Sequence, residues 1–412
     1  MNGFSPDALK EALAAVGACV HCGSCLPVCP AFKVSHREEL GPRGKLRLLT
    51  ALDEGRLSPG REVGDLLRRC LLCGRCAKAC PNQVPVAQGL AAGRALLAQA
   101  AGSPLKKPRI LAKALPGTIS GRGLARAGRL ARPLIRWGIP LSSGLHLRLA
   151  GLEGLHKLPP MAARPFLAES PHLVPGPQGA PRLGLFVGCV ANYLRPELAR
   201  RAMALLSRRF TVVIPPGQGC CGLPGMAAGL LPGVEELFNR QVALFSAAKV
   251  DLIVTTCASC AFALGRELPR LLQTPAAASF GACVREISQV LAEETKLLAG
   301  RGAGAGPVAL HEPCNLKVGL GVSEEPRTML AAAGVETAAM EEADACCGGG
   351  GLLPLNDPKL SRAVFEPAAQ AFARSGARVL ATSCSGCYLQ WRRGLGIEIP
   401  VVHPIELLST ES

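Results

Sequence analysis

The carboxyl-terminal half of the chain alternates short apolar runs with longer segments in which apolar residues recur at helical spacing. The short runs predict β-strands at residues 182–187, 250–256, 307–311 and 377–383. The longer segments predict helices at residues 196–208, 232–248 and 358–374. Because strands and helices alternate, we expect α/β layers in which loops gather at the strand ends.

The amino-terminal part shows helical spacing alone, with predicted helices at residues 6–16, 42–54, 66–69 and 86–101. Residues 102–180 contain eleven prolines, which break any long helix and predict short helices and a linker. The expected fold class is therefore multidomain. We predict a mostly α domain at 1–101, a basic proline-rich helical linker at 102–180, and two α/β cysteine-rich domains at 181–300 and 301–412.

Two cysteine runs of identical spacing, C-x2-C-x2-C-x3-C-P, lie in the first domain. They are Cys19, Cys22, Cys25 and Cys29 before Pro30, and Cys70, Cys73, Cys76 and Cys80 before Pro81. This is the ligand pattern of a [4Fe-4S] cluster, and two copies indicate a ferredoxin-type domain with two clusters. In such domains the fourth cysteine of each run ligates the other cluster. We therefore assign Cys19, Cys22, Cys25 and Cys80 to cluster 1, and Cys70, Cys73, Cys76 and Cys29 to cluster 2.

Zinc and disulfides are the alternative uses of these cysteines. Zinc sites use two separated C-x2-C pairs rather than two complete four-cysteine runs. Disulfides between thiols three residues apart are strained, and the first ten residues show no export signal. The nineteen cysteines of the chain therefore indicate metal ligands that are kept reduced in the cytoplasm.

A second cysteine pattern occurs twice in the carboxyl-terminal half. In each copy one cysteine follows a strand, an adjacent pair precedes glycine, and a C-x2-C follows another strand. The intervening segments have 30 and 35 residues in the first copy and 31 and 36 in the second, which indicates duplicated domains. The cysteines are Cys189, Cys220, Cys221, Cys257 and Cys260, and then Cys314, Cys346, Cys347, Cys384 and Cys387.

Five thiols per copy exceed what a zinc ion or a cubane cluster uses. Adjacent cysteines in a turn eased by Gly222 or Gly348 could bridge different irons of a larger cluster. Buried cysteines that act as small apolar residues and a thioredoxin-like C-x-x-C are the alternatives.

Cys283 belongs to neither copy and is expected in the core. The glycine run 348–351 is interpreted as flexibility near a cluster, because no Lys-Ser/Thr of a phosphate loop follows it.

Composition and charge narrow the classes of protein further. Hydrophobic residues make up 49% of the chain, so we do not expect a disordered protein. The sequence contains no uncharged apolar stretch of about 18 residues, so no transmembrane helix is predicted. The net charge is +16, and residues 104–165 carry twelve lysines and arginines against the single acid Glu153. Among them Arg122, Arg126, Arg129 and Arg136 share a helical face. Aromatic residues make up 4% of the chain, and no nucleic-acid-binding motif is present. We therefore expect this basic segment to bind a membrane surface or an acidic partner protein. A solvated basic face is the alternative.

The order of these motifs resembles the iron-sulfur subunit of glycolate oxidase and its D-lactate dehydrogenase relatives over nearly the whole chain. The similar stretches are Cys19-Val20-His21-Cys22-Gly23, Pro42-Arg43-Gly44, residues 70–80, Gly219-Cys220-Cys221-Gly222 and Pro313-Cys314. Glu312 departs from the family's usual aspartate before Pro-Cys and leaves the cysteines intact. The Cys-Cys-Gly domains also resemble a heterodisulfide reductase subunit, which implies one or two noncubane [4Fe-4S] clusters held by these ten cysteines.

The resemblance implies an electron-transfer subunit without catalytic residues of its own. The chain shows no G-x-G-x-x-G dinucleotide motif. FAD is therefore expected on a partner dehydrogenase subunit that oxidises glycolate or D-lactate, while this chain passes electrons to a quinone or another carrier. We expect a cytoplasmic protein with a peripheral contact to the inner face of the cytoplasmic membrane and no nucleic-acid partner.

Three other functions stay open from the sequence. Residues 257–264 resemble the membrane-associated iron-sulfur subunit of anaerobic glycerol-3-phosphate dehydrogenase. A thiol-disulfide enzyme of the heterodisulfide reductase type is the second alternative. The third is a scaffold whose metals are purely structural.

Overall fold

The structure, a computed structural model, describes residues 6–100, 159–302, 304, 306–396 and 398–410. The predicted basic face with Arg122, Arg126, Arg129 and Arg136 lies outside the described residues. Over the described ranges, every helix is too short or too polar to cross a bilayer.

The amino-terminal domain is helical, as predicted. Its helices are α1 (Pro6–Ala14), α2 (Pro30–Ser35), α3 (Pro42–Asp53), α4 (Arg61–Arg68), α5 (Arg75–Lys78) and α6 (Val86–Ala100), with 3-10 turns at Ala15–Ala18 and Glu38–Leu40. Proline stands at the first position of α1, α2 and α3, where its missing N–H costs no hydrogen bond. Helix α6 packs on α1, α3 and α4 around buried Val16, Leu49, Leu67 and Leu90. The two cysteine runs lie between these helices, so the helical core holds both loops in place.

The first cysteine-rich domain alternates strands and helices. Its elements are β1 (Leu173–Val174), β2 (Arg182–Phe186), α7 (Cys189–Tyr193), α8 (Pro196–Leu206), β3 (Thr211–Val213), α9 (Leu223–Ala227), α10 (Leu231–Ala247), β4 (Leu252–Thr255), α11 (Ala258–Phe262), α12 (Leu268–Leu272), α13 (Pro275–Ala282), β5 (Val284–Glu286), α14 (Ile287–Leu291) and α15 (Thr295–Leu298). A 3-10 turn at Phe166–Ala168 precedes them, and a π-helical segment, Ala263–Glu267, joins α11 to α12.

The second cysteine-rich domain repeats the arrangement with fewer elements. They are β6 (Val308–His311), a π-helical segment at Asn315–Leu320, α16 (Glu324–Ala333), β7 (Thr337–Ala338), a 3-10 turn at Gly350–Leu352, α17 (Leu353–Asn356), α18 (Pro358–Arg374), β8 (Val379–Thr382), α19 (Ser385–Leu395), β9 (Val401–Val402) and a 3-10 turn at Pro404–Leu407. The four strands predicted from apolar runs are confirmed to within one or two residues at each end.

The two sheets share one strand order. The first is β1-β3-β2-β4-β5 and the second is β7-β6-β8-β9; all neighbours are parallel except β1, which is antiparallel to β3. Strands β6 and β8 are buried along their whole length, as expected for parallel strands covered on both faces. Parallel strands end at the same edge, so residues that follow β2 and β4, or β6 and β8, meet there.

The segment predicted as a linker to residue 180 is partly incorporated into the first sheet. Strand β1 pairs with β3, and Phe166 is buried in the core that the two cysteine-rich domains share. The first sheet therefore begins before residue 181. A strand of two residues between prolines is too short to show an alternating pattern in the sequence. It is recognised only from its pairing with β3 in the structure.

Arg94 connects the amino-terminal domain to both cysteine-rich domains. It is 3% exposed, and its guanidinium donates hydrogen bonds to the carbonyl oxygens of Leu67 (2.8 Å), Cys70 (2.8 Å), Ala227 (2.8 Å) and Gly351 (3.4 Å). Leu67 and Cys70 belong to the first domain, Ala227 to the second and Gly351 to the third. One side chain on α6 thus donates hydrogen bonds to carbonyl groups of three domains.

The glycine run 348–351 is a close contact between two backbones, and its interpretation as a flexible segment is wrong. A Cβ on Gly350 would lie 2.4 Å from the Leu71 carbonyl oxygen, and one on Gly351 would lie 2.0 Å from the Cys70 carbonyl oxygen. Gly348 likewise leaves no room for a side chain beside the Ser361 carbonyl oxygen, at 2.3 Å. The glycines are needed because the second cysteine-rich domain packs directly on the second cysteine loop.

The variant Gly351→Ala is expected to destabilise the protein by about 3 kcal/mol, because its Cβ forces the Cys70 loop away. Gly376→Ala is the matched control. Gly376 also has positive φ, at +68°, but nothing lies within 4 Å of its added Cβ, so it should cost only about 1 kcal/mol. Thermal unfolding of anaerobically purified proteins measures both. Equal losses in the two variants would contradict the close contact.

Candidate metal centres

The two four-cysteine runs fold into the same loop. In each loop the residue before the second cysteine and the glycine after it have positive φ: His21 and Gly23 in the first loop, Leu72 and Gly74 in the second. A positive φ is unfavourable for histidine or leucine, and its recurrence at equivalent positions indicates a functional constraint on the backbone. The repeated spacing in the sequence therefore corresponds to a repeated loop geometry.

Each loop borders a cavity that also receives a cysteine from the other run. The cavity that we call site 2 is lined by four cysteines, namely Cys29, Cys70, Cys73 and Cys76. The cavity that we call site 1 is lined by Cys19, Cys22, Cys25, Cys80 and Cys76. Cys76 lines both, so the two cavities are immediate neighbours. The structure thus brings together each set of four cysteines that was assigned to one cluster.

The lining of these cavities fits an iron-sulfur cluster. All nineteen cysteines are free thiols. The cysteines of sites 1 and 2 surround cavities with apolar walls, such as Leu71, Leu72 and Leu90 around site 2. Sulfur ligands around a multi-atom space are the donor set of an iron-sulfur cluster.

Site 2 also has two buried cations beside it. Lys45, 2% exposed on α3, lines the cavity and donates to the carbonyl oxygen of Leu40. Arg94 donates to the carbonyl oxygen of Cys70. In the described part of the chain, neither cation is ion-paired with a carboxylate, and burial lowers the pKa of Arg94 to about 10, so it stays charged at neutral pH. Buried charges need compensation, and an anionic cluster in site 2 would supply it.

Burial disfavours the thiolate form of three site 2 cysteines. It raises the pKa of Cys29, that of Cys73 to about 12 and that of Cys76 well above its ordinary value. Cys22, on the exposed rim of site 1, differs because hydrogen bonds from Ser24 lower its pKa. Metal binding must therefore displace protons from the buried thiols, and the charge of the metal would stabilise the resulting thiolates.

The five cysteines of the first repeat lie next to one another, and we call this group site 3. Cys189 follows β2, and Cys257 is the N-cap residue that follows β4. The thiols of Cys189 and Cys220, of Cys221 and Cys260, and of Cys260 and Cys257 lie close enough to shift each other's pKa. Gly222, at φ +86°, turns the chain after the adjacent pair, and its amide donates to the Cys220 sulfur at 3.5 Å. The turn expected at Gly222 is confirmed.

The second repeat forms the corresponding site 4. Cys347 and Cys387 have their sulfurs 3.3 Å apart, and Cys384 lies close enough to Cys387 to help raise its pKa. Burial raises the pKa values of Cys314 and Cys346, and negative charge at nearby Cys347 raises both further. Gly348, at φ +74°, repeats the turn of Gly222, and its amide donates to the Cys346 sulfur at 3.4 Å.

Sites 3 and 4 are in direct contact, although the sequence presents them as two separate sets. Cys257 of site 3 lies close enough to Cys384 of site 4 to hold the pKa of Cys384 well below its ordinary value. The Ser259 hydroxyl lies 3.0 Å from the Cys384 sulfur, and the Ser385 amide donates to the Cys257 sulfur at 3.4 Å. Asn315 in turn donates to the Ser259 hydroxyl at 2.8 Å. The two equivalent helix starts therefore face each other across the repeat interface.

Site 4 also adjoins site 2. A thiolate at Cys73 of site 2 raises the pKa values of Cys314 and Cys346 in site 4. Between the sites, Arg75 forms an ion pair with Asp344 at 3.1 Å. The thiol groups thus follow one another through the protein in the order site 1, site 2, site 4, site 3.

Four polar residues of these sites were missed by the sequence analysis: Lys45, Arg94, Ser259 and Asn315. A lysine and an arginine in helices give no signal of burial, because only tertiary packing removes them from water. Ser259 lies inside a C-x2-C and could have been noticed. Cys283 lies at the edge of the core, where its thiol donates to the Ser279 carbonyl at 3.5 Å.

Two family models match this chain. The 4Fe-4S dicluster domain matches residues 15–84, and the cysteine-rich domain matches residues 183–265 and 308–392. Among the curated relatives is the probable glycolate oxidase iron-sulfur subunit of Bacillus subtilis, 27% identical over 95% of this chain and 92% of its own length. Another is the glycolate oxidase iron-sulfur subunit of Escherichia coli, 26% identical over 92% of this chain and 90% of its own length.

A third relative has a different name. It is a subunit of the fumarate reductase (CoM/CoB) of Methanothermobacter marburgensis, 28% identical over 95% of this chain and 71% of its own length. The two family models together cover more than half of the chain, and their boundaries enclose the cysteine runs of sites 1 and 2 and both duplicated sets. The chain thus combines a 4Fe-4S dicluster domain with two cysteine-rich domains, and it is similar over nearly its whole length to glycolate oxidase iron-sulfur subunits.

Proposed function

We propose that the chain is the iron-sulfur electron-transfer subunit of a flavin-dependent 2-hydroxy-acid dehydrogenase whose substrate is glycolate or D-lactate. The observation that carries this proposal is the unbroken succession of four thiol sites through the interior. Relatives named glycolate oxidase iron-sulfur subunit support this class of substrate. So does the lactate utilization protein A of Oceanobacillus iheyensis, which is 24% identical over 56% of this chain.

The proposed ligands of the cubane clusters are Cys19, Cys22, Cys25 and Cys80 in site 1, and Cys29, Cys70, Cys73 and Cys76 in site 2. The ten cysteines of sites 3 and 4 would hold one or two noncubane [4Fe-4S] clusters. When bound, such clusters supply reversible one-electron storage. The residues of this chain deprotonate to ligate, donate amide hydrogens to the sulfurs of Cys220 and Cys346, and surround the metal with an apolar shell that excludes water.

The exposed rim of site 1 is the proposed point of exchange with the FAD subunit. Val20 is 67% exposed, and Cys22 is exposed beside it, whereas the thiols of sites 3 and 4 are largely buried. Electrons would enter at site 1, pass through sites 2 and 4, and leave from site 3 to a quinone or another carrier. A peripheral membrane contact would bring the chain to a quinone in the bilayer.

A disulfide reductase is the second candidate function, because sites 3 and 4 meet directly through Cys257 and Cys384. Reduction of a disulfide takes two electrons and two protons to give two thiols, and two adjoining redox sites could deliver the electron pair.

In the decisive experiment, the anaerobically purified chain is mixed with its candidate FAD subunit, and bleaching of the iron-sulfur absorbance is followed. Glycolate or D-lactate should bleach it, and sn-glycerol 3-phosphate should not. Bleaching by glycerol 3-phosphate alone would instead indicate the glycerol-3-phosphate dehydrogenase class. Turnover of a disulfide by the isolated chain with a chemical reductant would favour the second candidate, and stoichiometric zinc without iron-sulfur absorbance would refute both.

Exchange of the fourth cysteine between the runs is tested by combining variants. Cys80→Ala should remove one cluster, about four iron atoms per chain. If Cys80 and Cys19 hold the same cluster, the double variant Cys19→Ala/Cys80→Ala loses no more iron than Cys80→Ala alone. The double variant Cys70→Ala/Cys80→Ala should lose about eight iron atoms, because it removes a ligand from each cluster.

Iron analysis and electron paramagnetic resonance spectra measure these losses. Cys283→Ala is the matched control and should keep all its iron, because Cys283 lies outside the four sites. The crossed assignment is wrong if Cys70→Ala/Cys80→Ala loses one cluster and Cys19→Ala/Cys80→Ala loses two.

Metallation of the duplicated domains is tested at the adjacent cysteine pairs. Cys221→Ala should reduce the iron content and leave the spectra of the two cubane clusters intact, since site 3 lies at the far end of the series. Cys347→Ala makes the same substitution at the equivalent position of site 4. A variant that retains all its iron would show that its repeat carries no cluster.

A further inference from the structure

Site 1 and site 2 have the same thiol ligand set, but they differ in whether the cations beside them are paired with carboxylates. The cation at site 1 is Arg43, about one-third exposed, whose guanidinium donates two hydrogen bonds to the Glu38 carboxylate at 2.6 and 3.0 Å. Its charge is therefore neutralised at short range and screened by water. Cys22 on the same rim is exposed. Site 1 thus receives little net positive potential from the protein.

Site 2 receives two cations whose charge is not offset. Lys45 is buried against the cavity, and although burial lowers its pKa, negative charge at Cys70, Cys29 and Cys76 acts in the opposite direction and favours the ammonium form. Arg94 contributes a second buried charge, and its acceptors among the described residues are carbonyl oxygens. Other cations near site 2 are paired with carboxylates: Arg68 with Asp65, Arg69 with Asp357 and Arg75 with Asp344.

Burial decides how strongly such a charge acts. Solvent and salt screen an exposed charge, whereas a buried charge interacts through a medium of much lower dielectric constant. Reduction of a cluster adds one negative charge. A fixed buried cation therefore stabilises the reduced form more than the oxidised form, and this raises the reduction potential.

We propose that the buried charge of Lys45, assisted by that of Arg94, raises the reduction potential of site 2 above that of site 1. One electron then moves inward from site 1, which is oxidised by one unit, to site 2, which is reduced by one unit, and no bond or proton is exchanged. This inference rests on the proposed clusters of sites 1 and 2, and it adds a direction to the electron transfer between them.

The first test uses the unaltered protein. Its two cubane clusters are titrated with reductant at fixed pH and followed by electron paramagnetic resonance, and each signal is assigned to its site with the single variants Cys22→Ala and Cys73→Ala. The signal of site 2 should appear at the higher potential. A higher potential for site 1 overturns the proposal, whereas absence of both clusters would instead refute the proposed function.

The second test removes the charge. Lys45→Met should lower the equilibrium constant for electron transfer from site 1 to site 2 about tenfold, which is ~59 mV for one electron. The potential of site 1 should change much less. If the methionine variant loses iron, the same measurement is made on Lys45→Gln, which removes the charge but keeps a hydrogen-bond donor for the Leu40 carbonyl.

Lys33→Met is the matched control. Lys33 lies on α2, one turn from Cys29, but it is exposed, so loss of its charge should leave both potentials unchanged. An unchanged site 2 potential in a fully metallated Lys45 variant contradicts the proposal. So does an equal shift of both sites, because a general structural disturbance would produce that result.

Discussion

The guanidinium of Arg94 is the contact on which the arrangement of the three domains depends. It donates to carbonyl groups of the amino-terminal domain and of both cysteine-rich domains from one buried position. A lysine could not replace it, since the planar fork of arginine is what reaches several acceptors at once. The nearby Gly350 and Gly351 let the backbones meet without side chains between them. Together they bring site 2 against site 4.

That contact makes the thiol sites continuous. Sites 1 and 2 share a wall at Cys76 inside one domain, and sites 3 and 4 share the contact between Cys257 and Cys384 across the repeats. The packing around Arg94 and the apolar contacts of Leu71 with Leu353 and Leu360 hold the two pairs of sites together. The electron-transfer function therefore depends on domain packing as much as on the cysteine ligands themselves.

Duplication explains how sites 3 and 4 come to face each other. Both sheets have the same parallel strand order, so each places its cysteines at the carboxyl ends of its two central strands. The helix starts after β4 and β8 then meet through Ser259 and Ser385. Each repeat supplies groups to its neighbour's site, which a single repeat could not do alone.

The sequence by itself determined the local features of this protein. Cysteine spacing identified the ferredoxin-type loops and the duplicated domains, because their ligands lie close together in the chain. Apolar periodicity placed the strands 182–187 and 377–383 and the helix 358–374, since these segments bury one face or their whole length. Tertiary structure decided which sites adjoin, which cations are buried and why the glycine run exists. Lys45, Arg94 and Gly351 acquire their roles from residues distant in the chain, and no local pattern records such contacts.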